Sequence, residues 1–597
     1  MTDLVNLTIN GRKASVAKGT LLVEAARQIG IEIPIFCYHP KLKPVGACRM
    51  CLVEIEKMPR LQTACTTPVS EGMVVQTASK NAAQAQQGVL ELLLANHPLD
   101  CPICDKGGEC PLQDNTFKYG PGVSRMTEEK RVKDKAYPLS DKIALDQERC
   151  ILCYRCTRFQ AEIPGDSALV ALDRGGTSEI GTLSGESFDS PFSGNTIELC
   201  PVGALTSRYY RFRARPWDLK HTPSVCAGCA VGCNVSLHAR DGAILRVLAR
   251  ENPQVDDGWL CDQGRFATLP AAGAPARPQL RRDGKLVPVS WDEALQHATA
   301  MLRRQAAVLA APTLSNEGFQ ALGALRQALP EAAFGILPRA HSPWLVQGRI
   351  HHLARCTKIV NLGLDPWTDL PVLALWQRKP LAQGAALVAV GPRNGLWRDS
   401  AAWLQGESAQ VPQLLRELLA ALDGAPAKDQ VARAAARLAQ DGPAAVLLAR
   451  ELAEDAATLQ LAQQLAAKLG ANAETGLVGA PALGANARGA QQIVPEITQG
   501  QPRLGDAMCA LVFGLDEVPA GPHTLLVASA RAVPADPRIE LLLPLAHPYE
   551  TAGTYLNFAG LAQPLAPGGF RQQGVLQDHV LLGRLHQALT KNLSTSR

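Results

Sequence analysis

The sequence predicts a multidomain protein that mixes α+β and α/β parts, and three observations predict it. Its 597 residues would fill about four domains at roughly 150 residues each. Fifteen of the 17 cysteines lie at or before Cys261, which leaves only Cys356 and Cys509 in the rest of the chain. Beyond Cys261, short apolar runs alternate with Ala- and Leu-rich helical stretches, the pattern of parallel α/β layers. Hydrophobic residues make up 46% and charged residues 19%, ample material for several cores and too little charge for wholesale disorder. A formal net charge of +5 is too slight over this length to argue for a nucleic-acid surface.

The opening MTDLVNLTINGRKASV carries Asp3 and an Asn10-Gly11 pair where a secretory signal needs a basic start and an unbroken apolar stretch, so export is not expected. No window offers about 18 consecutive apolar residues; the best candidates, residues 446–448 and 541–546, are short. Any membrane contact is expected to run through other proteins. In a reducing compartment so many cysteines do not form a disulfide scaffold, and metal or iron-sulfur ligation is the better default.

The first four cysteines, Cys37, Cys48, Cys51 and Cys65, read C-x10-C-x2-C-x13-C. Before them Val5-Asn6-Leu7-Thr8-Ile9 alternates like a strand, Asn10-Gly11 suits a tight hairpin, and Thr20 is placed to cap a helix through Ile29. That order predicts a small β-grasp, ferredoxin-like domain. Plant-type ferredoxins use C-x4-C-x2-C and a distant cysteine for a 2Fe-2S cluster, so the ten-residue spacing here lengthens the binding loop. Gly46 and Ala47 keep that loop small beside Cys48. A four-thiolate zinc site is the alternative.

The second set is His97, Cys101, Cys104 and Cys110. An apolar helical stretch, residues 89–94, delivers the chain to His97, and Pro98 forces the turn that opens the ligand loop. One imidazole with three thiolates can hold zinc or a 4Fe-4S cluster. The third set, Cys150-x2-Cys153-x2-Cys156, is completed by Cys200-Pro201 after 43 intervening residues. In the bacterial run C-x2-C-x2-C-x3-C-P the last thiolate serves a second cluster. No cysteine stands between Cys156 and Cys200, so Cys200 is expected to close the same 4Fe-4S cluster from a distance. The fourth set is Cys226-x2-Cys229-x3-Cys233 with Cys261 after 27 residues; a hairpin of residues 235–237 and 244–248, split by Asp241-Gly242, is expected to carry Cys261 back to the others. Cys356 and Cys509 have no cysteine neighbours and are expected to be buried apolar thiols.

In the cysteine-poor remainder, helices are expected at residues 291–304, 318–329, 412–422, 431–438 and 453–469, and buried strands at 359–362, 386–390, 445–448 and 525–528. Neither a Gly-x-Gly-x-x-Gly after a strand nor a Walker loop is present, so nicotinamide must be handled elsewhere. One 2Fe-2S cluster and three 4Fe-4S clusters without a dinucleotide site make an electron conductor, because clusters carry single electrons and perform no hydride chemistry.

With those motifs in hand, residues 1 to about 270 resemble the large iron-sulfur subunit of respiratory complex I, the G-type subunit family of NADH:quinone oxidoreductase. Ala214-Arg215-Pro216-Trp217-Asp218-Leu219 is similar to that family's Ala-Arg-Pro-Trp-Glu-Leu, with Asp218 in place of Glu. The remainder resembles the molybdopterin-oxidoreductase fold, carried by residues 282–295 and by Gly553-Thr554-Tyr555-Leu556-Asn557. The resemblance implies a 2Fe-2S domain at 1–78, a 4Fe-4S domain with one histidine and three cysteine ligands at 79–119, a 4Fe-4S ferredoxin-like domain at 120–218, a 4Fe-4S entrance at 219–275 and a non-catalytic α/β region at 276–597. It further implies a peripheral-arm place on the cytoplasmic face of the cell membrane. Electrons would come from an FMN-containing, NADH-oxidising subunit and leave toward quinone-linked subunits, through the first, then the third, then the second set. Neither FMN nor molybdenum is expected on this chain, whose end falls short of longer family members and leaves a complete pterin pocket in doubt. Two alternatives stay open. A molybdenum enzyme needs a Cys or selenocysteine near its metal, where Ala340 precedes His341 and Cys356 sits in a helix leading into a strand; a zinc-rich scaffold without redox function would be colourless.

Overall fold

The computed structural model describes residues 3–183, 185–270, 273–499, 507–515, 517–521, 523–569 and 574–594, with side chains described to residue 591. The chain divides into two compact units, Met1–Leu219 and Lys220–Arg597.

The first unit opens with β1 (Leu4–Ile9) and β2 (Arg12–Ala17), paired antiparallel so that Ile9 faces Arg12 across a two-residue turn. Asn10 and Gly11 both take positive φ, 49° and 78°, as a type I′ turn demands. Helix α1 (Leu22–Gln28) follows. Thr20 does not cap it: the N-cap is Leu21, and the Thr20 hydroxyl instead donates to the Ala17 carbonyl at 2.7 Å. Strands β3 (Leu52–Ile55), β4 (Gln62–Thr63) and β5 (Met73–Gln76) complete a five-stranded sheet in the order β2-β1-β5-β3-β4. One face of the sheet packs on α1 around Ile9, Val53, Val75 and Leu22. The expected apolar stretch at 89–94 lies inside the longer α2 (Lys80–Asn96), whose C-cap is His97. Helix α3 (Pro111–Tyr119) begins directly after Cys110, α4 (Arg155–Glu162) two residues after Cys153, and α5 (Asn195–Leu199) ends at Cys200. The loops of the second and third sets are therefore anchored on helix ends.

The second unit starts with a three-stranded antiparallel sheet, Lys220–Val225, Asn234–Arg240 and Ala243–Ala249. Asp241 and Gly242 make its expected turn with φ of 51° and 82°. Two larger sheets follow. In one, the parallel strands Ile539–Pro544, Thr524–Ser529, Cys509–Phe513, Ala306–Ala310 and Ala333–Ile336 lie side by side, with an antiparallel pair at one edge. In the other, Leu477–Gly479, Ala444–Leu448, Lys358–Leu362, Ala386–Gly391 and Ala402–Gln405 are parallel. The central strands are buried along their whole length, as parallel strands covered by helices on both faces must be. The helix expected over 453–469 is broken: Arg450–Ala453 ends, and Asp455 starts Ala456–Lys468 by accepting from Thr458 N at 2.9 Å. Residues Ile350–Arg355 form a 3-10 helix ahead of Cys356. No helix among the described residues is long and apolar enough to cross a membrane.

His238 carries a pH signature for this unit. It is buried in the small sheet, stacked on His221 with centroids 3.8 Å apart, and accepts from Arg246 Nε at 3.1 Å. Burial, helped by Arg246 and His221, pushes its pKa down to about 3. An unfolded His titrates near 6.5, so between these values the unfolded chain binds more protons and stability rises with pH. The contribution is complete above about pH 6.5 and fades as pH falls toward 3. In urea unfolding between pH 7 and 5, His238→Gln is expected to lose less stability than the parent; an equal loss would assign the acid sensitivity elsewhere.

Candidate metal centres

In the first set the four thiols are linked to one another. Cys37 exchanges thiol hydrogen bonds with Cys48 and Cys65, and Cys65 also meets Cys51. The resulting polarity is alternate: bonds from Cys48 and Cys65 hold Cys37 and Cys51 down, while those partners are pushed up. The Cys37 amide donates to Cys48 Sγ at 3.4 Å. Gly46, with φ of 64°, lies where a Cβ would stand 3.1 Å from Thr66 Cγ2, so the loop passes close to the Cys65 turn only with glycine there.

In the second set Cys104 and Cys110 are buried and Cys101 is exposed. His97 Nδ1 is buried without a hydrogen-bond partner. Burial first, then repulsion by Arg149 and Lys130, pushes the His97 pKa down to about 4. The ring is thus neutral at ordinary pH, the form that binds metal. In the third set burial and mutual repulsion push Cys150 and Cys153 up to about 12 and Cys156 well above the ordinary thiol value. Leu152 and Tyr154, the residues flanking Cys153, take φ of 51° and 59°, turning successive amides inward as in anion-binding nests. The fourth set is the most enclosed: all four thiols are buried, and burial is the first cause of every upward shift.

A common local device serves these loops. The amide two residues after the thiol bonds it at Cys48, Cys104, Cys110, Cys150, Cys153, Cys226 and Cys229. Such donors favour the thiolate, against burial, which favours the thiol. Among the described residues no group of three or more His, Cys, Asp or Glu is disposed to hold one metal ion; the sets are marked by shared burial and mutual electrostatics. Buried thiols met by inward amides, with an unpartnered neutral imidazole at the one non-thiol position, are a donor set that suits iron-sulfur clusters.

The sets of the first unit adjoin one another. Arg155 Nη1 donates to the Leu199 carbonyl beside Cys200 at 3.4 Å, and its Nη2 to the Tyr38 carbonyl beside Cys37. Arg158, a turn later, donates to the carbonyls of Cys37 and Lys43. On the other side, Cys110 Sγ donates to the Pro201 carbonyl at 3.6 Å, and a Cβ on Gly203 would fall on Cys104 Sγ. Cys110, Cys156 and Cys200 are buried in one apolar cluster with Phe36 and Met50, and Cys48 and Cys150 pack on it. Cysteine spacing singles out none of Arg155, Arg158 or Gly203 as functional, although all three lie inside or beside the ligand runs.

In the second unit the 226–233 loop is clamped by the far end of the chain. Tyr549 donates its hydroxyl to Cys226, Phe558 N bonds the Ala230 carbonyl at 2.9 Å, and Gln563 Nε2 bonds that of Gly232 at 2.7 Å. A cavity of about 890 Å³ opens beside this loop, lined by Ala227, Gly228 and the residues just past the carboxyl ends of the parallel strands, Ala311, Gly514 and Ala530 among them. No cysteine lines it among the described residues. Ala340 is buried before His341, and Cys356 and Cys509 are buried with their thiols donated to the carbonyls of His352 and Met301. These residues do not supply the thiolate that a molybdenum centre of the alternative reading requires.

The site and the fold together define an iron-sulfur protein joined to a molybdopterin-oxidoreductase-type α/β module. Family models match in that order: a 2Fe-2S cluster binding domain over 2–80, the NADH-ubiquinone oxidoreductase-G iron-sulfur binding region over 86–125, the ferredoxin-like domain of NADH-quinone oxidoreductase subunit 3 over 140–206, a molybdopterin oxidoreductase Fe4S4 domain over 219–269 and molybdopterin oxidoreductase over 276–491. The chain is similar to the G-type subunit of NADH-quinone oxidoreductase from Streptomyces coelicolor, 51% identical over 50% of this chain and 36% of that protein. It is likewise 46% identical to the NADH-ubiquinone oxidoreductase 78 kDa subunit of Neurospora crassa, over 49% of this chain and 39% of the other. These alignments span well under half of each relative. A solved NAD+-reducing [NiFe]-hydrogenase chain aligns with a TM-score of 0.33 and 29% identity, over 35% of this chain and 90% of that one.

Gly203 gives a steric test. Gly203→Ala, which drives a methyl onto Cys104 Sγ, is expected to strip iron from the second set. Gly122→Ala, where no atom lies within 4 Å of the added carbon, should leave iron content unchanged; equal iron in both variants would contradict the packing described. His97→Ala should likewise cost the second set its EPR signal, whereas Cys356→Ser and Cys509→Ser cost only local packing, about 1 to 2 kcal/mol. An unchanged second-set signal in His97→Ala would mean that another residue supplies the fourth ligand.

Proposed function

We propose that this chain is an electron-conducting subunit of an NADH:quinone oxidoreductase. In this reading one 2Fe-2S cluster is held by Cys37, Cys48, Cys51 and Cys65. Three 4Fe-4S clusters are held by His97, Cys101, Cys104 and Cys110; by Cys150, Cys153, Cys156 and Cys200; and by Cys226, Cys229, Cys233 and Cys261. The domain limits at 78, 119, 218 and 275 follow the same assignment. The chain would lie in the peripheral arm at the cytoplasmic face of the membrane, touching it only through other subunits. It would take electrons from an FMN-containing, NADH-oxidising partner and deliver them toward quinone-linked subunits. When bound, such clusters supply one-electron carriers.

The observation that carries the reading is the shared interior of the first unit, in which thiols of the first, second and third sets pack on one apolar cluster. Protein contacts join the sets in the order first, third, second: Arg155 and Arg158 reach from the third to the loop of the first, and Pro201 and Gly203 from the third to the thiols of the second. That sequence agrees with the transfer order the family resemblance implies. The fourth set has a different setting. Its loop is where residues 226–233 and 549–563 are bound together, so its ligands hold the α/β module closed and are read as structural.

Iron analysis of the anaerobically purified chain should give about fourteen irons, one 2Fe-2S and three 4Fe-4S signatures, without stoichiometric molybdenum or FMN. Tightly bound zinc at two or more sets would sink the proposal. For the fourth set, Cys229→Ser is expected to lower the yield of assembled complex while NADH:quinone turnover per complex stays nearly normal, since metal ligation there contributes to folding. Normal yield with turnover lost, the other three clusters remaining reducible, would put it on the electron path.

A further inference from the structure

The ten-residue spacer between Cys37 and Cys48 has a partner. Three residues of one face of α4, Arg155, Arg158 and Glu162, hold it: Arg155 through the Tyr38 carbonyl, Arg158 through the Cys37 and Lys43 carbonyls, and Glu162 by accepting from Lys43 N at 2.7 Å. Residues 155, 158 and 162 are spaced as one helix face requires. The lengthened loop is thereby docked onto the helix that begins the third ligand run.

Within that dock Arg155 is set apart because it reaches both ligand sets, whereas Arg158 reaches only the loop of the first. Its guanidinium donates to carbonyls, Tyr38 beside Cys37 and Leu199 beside Cys200, and its Nε is buried with no hydrogen-bond partner. Burial pushes its pKa down, and against that act Cys153 and Cys200 of the third set and Cys37 and Cys48 of the first, which as thiolates favour the cation. A guanidinium stays protonated throughout the working pH range, and carbonyls orient it without cancelling its charge. Partly buried charges are less screened than exposed ones, so a cation in this place acts on both ligand sets.

We propose that Arg155 is a positioning residue shared by the first and third ligand sets, a half-buried cation that docks one loop on the other and favours the added electron at both. The proposal rests on the cluster reading above. It is tested on the full chain by EPR-monitored redox titration of the parent, Arg155→Gln and Arg155→Lys. In Arg155→Gln both midpoints are expected to fall together, each by about a tenfold loss in the reduced-to-oxidised ratio at the parent midpoint, which is about 59 mV for a one-electron couple. Arg155→Lys keeps the charge and should hold both midpoints near the parent. Arg155→Gln with both clusters present and either midpoint unmoved would overturn the proposal, and so would Arg155→Lys shifting as far as Arg155→Gln. Should Arg155→Gln fail to fold, Arg155→Lys decides alone: unmoved midpoints support the charge role, moved ones refute it. A parent chain lacking either cluster would overturn the functional reading and this proposal together, an outcome distinct from unmoved midpoints in an intact variant.

Discussion

Thiolates gathered in an apolar interior repel one another and lose their hydration, and the architecture answers that constraint at every ligand set. Burial drives the thiols of the third and fourth sets upward in pKa, which means that the folded protein resists ionising them unaided. Backbone amides two residues on and left-handed residues at 152 and 154 work against that resistance, while in the second set a neutral His97 stands where a fourth thiolate would add repulsion. The same demand explains why the loops sit at the ends of helices and strands: amides can point at sulfur only where they are not already spent on a ladder.

The two units meet the constraint differently. In the first, three sets share an interior with little intervening protein, and the contacts between them are made by the residues that also shape the ligand loops: Arg155 within the Cys153–Cys156 run, Gly203 within the segment that follows Cys200. In the second, one set is held by hydrogen bonds to a segment more than 300 residues away in sequence, beside a module whose parallel strands are buried by helices and whose cavity lacks a thiolate donor among the described residues.

Much of this was legible in the sequence because the signals are local. Cysteine spacing separates the four sets, Asn10-Gly11 and Asp241-Gly242 write their turns directly, and the apolar runs at 359–362 and 445–448 are the buried central strands they promised to be. What escaped is long-range or competitive. Arg155 meets Tyr38 across 117 positions, and nothing in either segment announces the other. Asp455 breaks a continuous apolar periodicity because its carboxylate caps a new helix start; Thr20 found a nearer acceptor in the Ala17 carbonyl and left Leu21 at the cap. The arginine inside C-x2-C-x2-C was the one available clue to the dock, since a cation among thiolate ligands is placed at a cost unless it has work there.

The central claim is that the third ligand set is the physical link between the first and the second. Spin-relaxation EPR on the reduced full chain measures this directly, by comparing the parent with Cys153→Ser, which removes the third set alone. The account predicts that in the parent the first and second signals are each relaxed by the third, and that in Cys153→Ser both slow and become independent of one another. Strong mutual relaxation of the first and second sets that survives the loss of the third would contradict it.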